Sequence, residues 1–297
     1  MITVVGHTAI DHICKVPVFP ERHGSVPVTD HKVYYGGGAA NIAAGIAKLG
    51  GECELLSAVG DEFEGSDYDS WLTSLGVGKR FIVVDGKRTA TCFLFNDEKG
   101  DQMTFFEWGA SRAFAESEPP ALDFVHMATA DPGYNVKVAE KAGFSSFDPG
   151  QDLINYSKEQ LEAIIENIDI LFANHHEVRR MTKMLGVQED ELIGRIPVSI
   201  ITMSGDGSEI HAEGSVHKIP VVPVTLADPT GAGDAYRAGF LTAYQKGYDI
   251  LTACKIGTVS ASFTVEVIGC QTNLPDWKTM SARYNENFGR LKEPETE

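Results

Sequence analysis

Asp228-Pro229-Thr230-Gly231-Ala232-Gly233-Asp234 is the stretch on which the reading of this chain turns. It follows the apolar run Ile219 to Leu226 and precedes Ala235 to Gln245, whose spacing is that of a helix. Thr230 to Gly233 therefore falls at a helix N-terminus. Small residues there leave consecutive backbone N–H groups uncovered, and with the helix dipole they make a socket for an anion. Asp234 is the odd member, because a carboxylate in a phosphate socket repels its ligand unless it has a task. The task that fits is taking a proton from an attacking hydroxyl while the N–H groups hold the charge of a transferring phosphoryl group. The plain alternative is an ordinary helix start, where glycines and an aspartate are common.

Outward from this stretch, strand-like and helix-like segments alternate. Ile2 to Val5, Glu54 to Val59, Phe124 to Met127, Ser145 to Phe147, Ile168 to Phe172 and Val198 to Met203 are short apolar runs suited to buried parallel strands. Asn41 to Leu49, Asn135 to Ala142, Lys158 to Glu166 and His176 to Leu185 have helical spacing. The order predicts an α/β fold with a doubly wound, mostly parallel central sheet and helices on both faces. Two regions, about 10–35 and 88–108, break the pattern with strands and few helices. In the second, Ala90 to Asn96 and Gln102 to Trp108 flank Asp97-Glu98-Lys99-Gly100 as a β-hairpin. These regions are expected to form a small separate sheet whose apolar face (Phe93, Phe95, Phe105) needs a cover, as a lid over a cleft or as a dimer interface. Residues 1–297 are expected to form one domain with this β-lid, ending in a polar, frayed tail from Lys292 to Glu297.

The chain has 297 residues, 43% hydrophobic and 23% charged, which is ordinary for a soluble globular protein. No apolar run approaches a membrane span, and the N-terminus lacks the basic flank of a secretory signal, so a cytoplasmic protein is expected. The formal net charge of −17 argues against nucleic acid as a partner. It does not exclude a nucleotide held in a local nest of N–H groups. Five scattered cysteines, none spaced as CxxC, suggest reduced thiols and no zinc. The nine histidines show no metal spacing and are expected to be structural or exposed. Asp148-Pro149-Gly150-Gln151-Asp152 follows a strand C-terminus, where ligands gather in open parallel sheets; an ordinary turn is the alternative. Gln102 or Phe105 could lie against a nucleobase, with core packing or lid pairing the alternative for Phe105. Arg237, three residues after Asp234 on the same helix, either clamps a phosphate or makes a structural ion pair.

The sequence resembles the ribokinase (PfkB) family of carbohydrate and nucleoside kinases. Asp228 to Asp234 is similar to its C-terminal signature, and Gly36-Gly37-Gly38-Ala39-Ala40-Asn41 to its N-terminal glycine motif. Asn174-His175-His176-Glu177 resembles the family's Asn-x-x-Glu motif, and Thr202-Met203-Ser204-Gly205-Asp206-Gly207 its nucleotide-contacting turn. The four motifs occur in the family's order and cover most of the chain. The resemblance implies Asp234 as the base and Gly231, Ala232 and Gly233 as the anion hole. It implies Asp11, Gly37 and Asn41 as sugar contacts; beside them Gly38, and from the readings above Gln102, Asp148 and Gln151, are the further candidates for the acceptor. ATP would meet Asn174, Thr202, Ser204, Gly205, Gly207 and Arg237, and Glu177 would organise Mg²⁺ through water. Asp228 and Thr230 lie where many members hold a monovalent cation such as K⁺; Pro229 stands where Thr is frequent and removes one N–H.

Longer matches, among them Ser146 to Asp152, Asp228 to Phe240 and Gly269 to Pro275, resemble the archaeal broad-specificity nucleoside kinases. The implied reaction is transfer from ATP to the 5′-hydroxyl of a ribonucleoside, with inosine, guanosine or cytidine as acceptors, in a homodimer joined through the β-lid. A ribokinase-like or other sugar kinase is the alternative within the family. A nucleotide- or nucleoside-binding sensor without turnover is the alternative outside it; the retained Asp234 argues against that reading.

Overall fold

The computed structural model describes residues 1–294, so the last three residues of the expected tail lie outside it. In chain order the elements are β1 (Ile2–Val5), β2 (Ala9–Lys15), β3 (Asp30–Gly36), α1 (Gly38–Lys48), β4 (Cys53–Gly60), α2 (Asp67–Leu75), β5 (Gly78–Val84), β6 (Ala90–Asn96) and β7 (Gln102–Glu107). A 3-10 helix (Gly109–Glu116) leads to β8 (Leu122–Met127), α3 (Pro132–Lys141) and β9 (Ala142–Phe147). After a second 3-10 segment (Gly150–Asn155) come α4 (Lys158–Ile165), β10 (Ile170–Asn174), α5 (His175–Leu185), α6 (Glu189–Gly194) and β11 (Val198–Thr202). A 3-10 turn (Ser204–Asp206) precedes β12 (Ser208–Ala212) and β13 (Ser215–Ile219), and α7 (Ala232–Gln245), α8 (Ile250–Thr264) and α9 (Trp277–Phe288) complete the chain.

Among the described residues, nine strands form one sheet in the order β13-β12-β11-β10-β9-β8-β1-β4-β5. Its pairings are parallel from β11 to β5, and β12 and β13 add antiparallel at one edge. The strand residues alternate between two cores, as the period of two requires. Val4, Ile170, Phe172 and Ile200 face α1, α7 and α8, while Val5, Leu171, Ala173 and Ile201 face α3, α4 and α5. Helices thus cover both faces, as predicted.

The second sheet has the order β3-β2-β6-β7, with β6 and β7 as the expected hairpin. One face carries Cys92, Leu94, Thr104 and Phe106 toward the cleft described below. Phe93, Phe95 and Phe105 alternate onto the other face, where Phe105 is 57% exposed and meets Phe95 edge-on at 6.1 Å. The period of two therefore turns Phe105 away from the cleft and Phe106 into it.

Several boundaries move. The helix expected from Asn41 begins at Gly38, because Gly37 turns the chain at φ 90° and lets the next residues enter the helix at once. The strand expected from Ile168 runs instead from Ile170 to Asn174. The apolar run Ile219 to Leu226 gives only its first residue to a strand; Pro220 and Pro223 cannot donate to a ladder, and the segment crosses the mouth of the cleft instead.

Candidate active site

Two helix N-termini meet at Asp234. α1 follows Gly37 and α7 follows Gly231, both at positive φ and both without a side-chain cap. Glycine is obligatory at Gly231, where φ is +80° and a Cβ would come within 2.7 Å of Cys270 Sγ. The Ala232 N–H donates to the Pro229 carbonyl at 3.2 Å. Of the expected anion hole, Gly231 and Gly233 keep N–H groups without an internal partner among the described residues, and the N–H of Asp234 joins them. A Cβ at Gly38 would lie 3.8 Å from Asp234 Oδ1, so the start of α1 flanks the same carboxylate.

Asp234 is oriented by a chain of hydrogen bonds. Asn41 Nδ2 donates to Asp234 Oδ2 at 2.9 Å, and Gln271 Nε2 donates to Asn41 Oδ1 at 2.9 Å. Trp71 Nε1 in turn donates to Gln271 Oε1 at 2.9 Å, which fixes both amide orientations. Burial pushes Asp234 up to about 6, against the pull of Arg237 and Asn41. A carboxylate poised there is a competent base near neutral pH. Gln271, Trp71 and Tyr68, whose hydroxyl accepts from Gln271 Nε2 at 2.6 Å, were not among the expected site residues. They come from distant segments, and although Gln271 falls in the matched stretch Gly269 to Pro275, nothing local there marks the contact.

Asp11 in β2 lies over Gly36, whose Cβ would sit within 2.2 Å of its carboxylate oxygens. Burial, then Asp234 and Asp228, raise Asp11 to about 7. Asp148, after β9, accepts from Arg237 Nη2 at 2.8 Å and from the Gly150 N–H at 3.1 Å. Arg237 Nη1 lies 3.8 Å from Asp234 Oδ1. Arg237 thus makes an ion pair with Asp148 and reaches toward Asp234. Asn174 caps α5 by accepting from the N–H groups of His176 and Glu177, and Glu177 Oε2 accepts from the Asn174 N–H at 2.7 Å. The Asn-x-x-Glu motif is thus a reciprocal capping box that stations Glu177 at the cleft. Burial, then Asp148, raise Glu177 to about 7.

These side chains line one cleft of about 1000 Å³. It gathers Asp11, Gly37, Gly38, Asn41, Gln102, Asp148, Gln151, Asn174 and Glu177 of the expected residues. Thr202, Ser204, Gly205, Gly207, Thr230, Gly231, Ala232, Gly233, Asp234 and Arg237 of the expected residues line it too. Asp228 does not line it; its Oδ1 accepts from the Thr230 N–H at 2.9 Å in a tight turn that shapes the socket from behind. Other lining residues were not foreseen, among them Asp152 and Asn155. His7, Phe106 and Trp108 wall one end, Val221 to Val224 with Leu226 the other, and Thr258, Ala261, Ser262 and Val265 close the second from α8 and its end. Among the described residues no group of three or more His, Cys, Asp or Glu side chains could cage a metal. None of their helices is long and apolar enough to cross a membrane.

Residues 1–277 match the pfkB family of carbohydrate kinases. The chain belongs to that family. The pfkB chain here is 45% identical over 289 residues to a nucleoside kinase of Methanocaldococcus jannaschii, covering 95% of this chain and 96% of that one. The crystal structure of the M. jannaschii nucleoside kinase superposes with a TM-score of 0.89 at 43% identity, over 96% and 98% of the two chains. A nucleoside kinase of Methanothermobacter thermautotrophicus is 41% identical, with 97% and 96% covered. A Burkholderia thailandensis nucleoside kinase solved with inosine superposes with a TM-score of 0.90 at 25% identity, over 99% of both chains. The fold is ribokinase-like, and the chain is a phosphotransferase acting on an alcohol group.

Proposed function

We propose that this protein is an ATP-dependent nucleoside kinase that phosphorylates the 5′-hydroxyl of a ribonucleoside to the 5′-monophosphate. The observation that carries the reading is the half-buried Asp234 carboxylate, set between two uncapped helix starts and oriented through Asn41. The donor lies between the 202–207 turn and the Val221–Leu226 wall, its terminal phosphate at the N–H groups of Gly231, Gly233 and Asp234. The ribose hydroxyls meet Asp11, and the base extends toward Phe106 and Trp108. That aromatic end gives a nucleobase a place that a free pentose leaves empty, and the archaeal relatives named above are nucleoside kinases. Inosine, guanosine and cytidine are the candidate acceptors.

In the reaction Asp234 accepts the proton of the 5′-hydroxyl as its oxygen attacks the γ-phosphorus, and the leaving group is ADP. The N–H groups hold the charge on the moving phosphoryl group. The donor set suits Mg²⁺: a carboxylate at the cleft, Glu177, without a protein cage, as expected of an ion carried by phosphates and water. When bound, Mg²⁺ neutralises the phosphates, while Glu177 and Asn174 orient its water shell. Asp228 and Thr230 remain the candidate pair for a monovalent cation such as K⁺. The chain acts as one domain, the β2-β3-β6-β7 sheet serving as lid, and two copies pair through its outer face. A panel of nucleosides and free sugars with ATP and Mg²⁺, read as ADP release, tests the reading. Nucleosides are expected to turn over well above ribose; turnover of sugars alone would overturn it.

A further inference from the structure

Asp152 and His7 form a pair in the acceptor half of the cleft that phosphoryl transfer does not use. His7 follows β1 and is 2% exposed. Its Nε2–H donates to Asp152 Oδ2 at 3.0 Å. Its ring is held by Phe106 and Trp108, each with centroids 4.9 Å away, tilted and edge-on respectively. Asn155 Nδ2 donates to the other oxygen, Oδ1, at 3.2 Å. Asp152 is 9% exposed, and what remains open faces the cleft.

A carboxylate has about four acceptor positions, so with one donor on each oxygen Asp152 keeps one open on each. A buried acceptor left empty is costly, and a ligand acceptor placed against it is repelled. A group that satisfies both oxygens must present two adjacent N–H donors in one plane. His7 and Asn155 hold the carboxylate from either side, so the geometry exists before a ligand arrives.

We propose that Asp152, positioned by His7, reads the pairing edge of the nucleobase and favours guanine. Guanine presents N1–H and its 2-amino group side by side, at the spacing of the two carboxylate oxygens. Hypoxanthine offers N1–H alone. Adenine places the lone pair of N1 against the carboxylate, and xanthine does the same with its C2 carbonyl. Phe106 and Trp108 supply apolar surface for the base faces without distinguishing among them. The proposal rests on the nucleoside reading of the cleft.

The test compares kcat/KM for guanosine, inosine and xanthosine in the wild type and in Asp152→Asn. The asparagine keeps an acceptor for His7 and replaces one acceptor by a donor. The wild type is expected to prefer guanosine to inosine by roughly tenfold or more, the effect of one hydrogen bond to a charged group. In Asp152→Asn guanosine is expected to fall by about tenfold or more while xanthosine rises, because the new donor meets its C2 carbonyl. An unchanged guanosine-to-xanthosine ratio, with nucleosides still turned over, would overturn the Asp152 assignment alone. Turnover of sugars but of no nucleoside would overturn the underlying reading with it. Should the variant not fold, 1-methylguanosine on the wild type decides: N1-methylation is expected to cost at least as much as loss of the 2-amino group, and equal rates for guanosine and 1-methylguanosine contradict the proposal.

Discussion

The side-chain amide of Asn41 donates to Oδ2 of Asp234 at 2.9 Å, and its own oxygen is held by Gln271. The amide cannot flip without losing both bonds, so Asn41 always offers Asp234 a donor. Burial opposes the ionised carboxylate while Arg237 and then this donor favour it, and the balance leaves Asp234 at about 6. An ionised base is required, so kcat/KM is expected to fall below an acid limb near pH 6. Asn41→Ala removes a bond that lowers the pKa. Its limb is expected to move to higher pH, with activity recovering as Asp234 ionises. A limb that stays in place in the pH–rate profile would detach Asn41 from the base.

The three raised acids also act on stability. Asp11, Glu177 and Asp234 sit near 7, 7 and 6 in the folded chain, above their ordinary values of 3.8, 4.5 and 3.8. An acid raised on folding contributes stability below its unfolded pKa and loses it as pH rises through the folded one. The unliganded protein is therefore expected to lose this contribution between about pH 4 and pH 7, as read by denaturant midpoints. Asp11→Asn is expected to flatten the slope, and an equally steep one would contradict the burial argument.

Arg237 neutralises Asp148 at 2.8 Å, with both side chains nearly buried. Arg237→Gln leaves a buried carboxylate without its cation and is expected to cost about 3–5 kcal/mol of stability. Arg237→Gln with Asp148→Asn is expected to recover most of that loss. Additive losses in a double-mutant cycle of chemical denaturation would show that the pair is not coupled.

Glu177 has two roles, capping α5 and facing the donor phosphates, and one substitution separates them. Glutamine still closes a capping box, so Glu177→Gln is expected not to lower the midpoint of thermal unfolding. Its charge is gone, so the Mg²⁺ concentration for half-maximal rate is expected to rise several-fold. An unmoved Mg²⁺ titration would confine Glu177 to the helix cap.

Phe93, Phe95 and Phe105 share the outer face of the small sheet, beside Val33 and Met103, which are 55% and 47% exposed. Phe105→Asp is expected to convert a homodimer to monomer in sedimentation equilibrium without unfolding it. A wild type that sediments as a monomer would remove the dimer from the account.

Much of the fold is legible from local pattern. The apolar runs at β1, β4, β8, β10 and β11 are buried on both faces, and such strands announce themselves without alternation. β13 and β5 are edge strands with exposed residues, and β12 beside the edge is only half-buried, so none of them is buried on both faces. The site's backbone was equally legible, because positive-φ glycines and helix starts are written in consecutive residues. Its side-chain partners were not. Gln271 lies 230 residues from Asn41, and Asp152 lies 145 from His7, so neither contact leaves a local trace. Asn174 and Glu177 show the converse: they resemble a family motif for placing magnesium and nucleotide, and the same spacing builds a capping box.

The measurement that bears most directly on the central claim is turnover by Asp234→Asn, assayed as ADP release with a nucleoside, ATP and Mg²⁺, beside its affinity for the nucleotide. Asparagine keeps the volume of the side chain and accepts from Asn41 but cannot take the hydroxyl proton. The rate is expected to fall by about a thousandfold or more while nucleotide affinity stays within a few-fold of wild type. Near-normal turnover in that variant would contradict the assignment of Asp234 as the base.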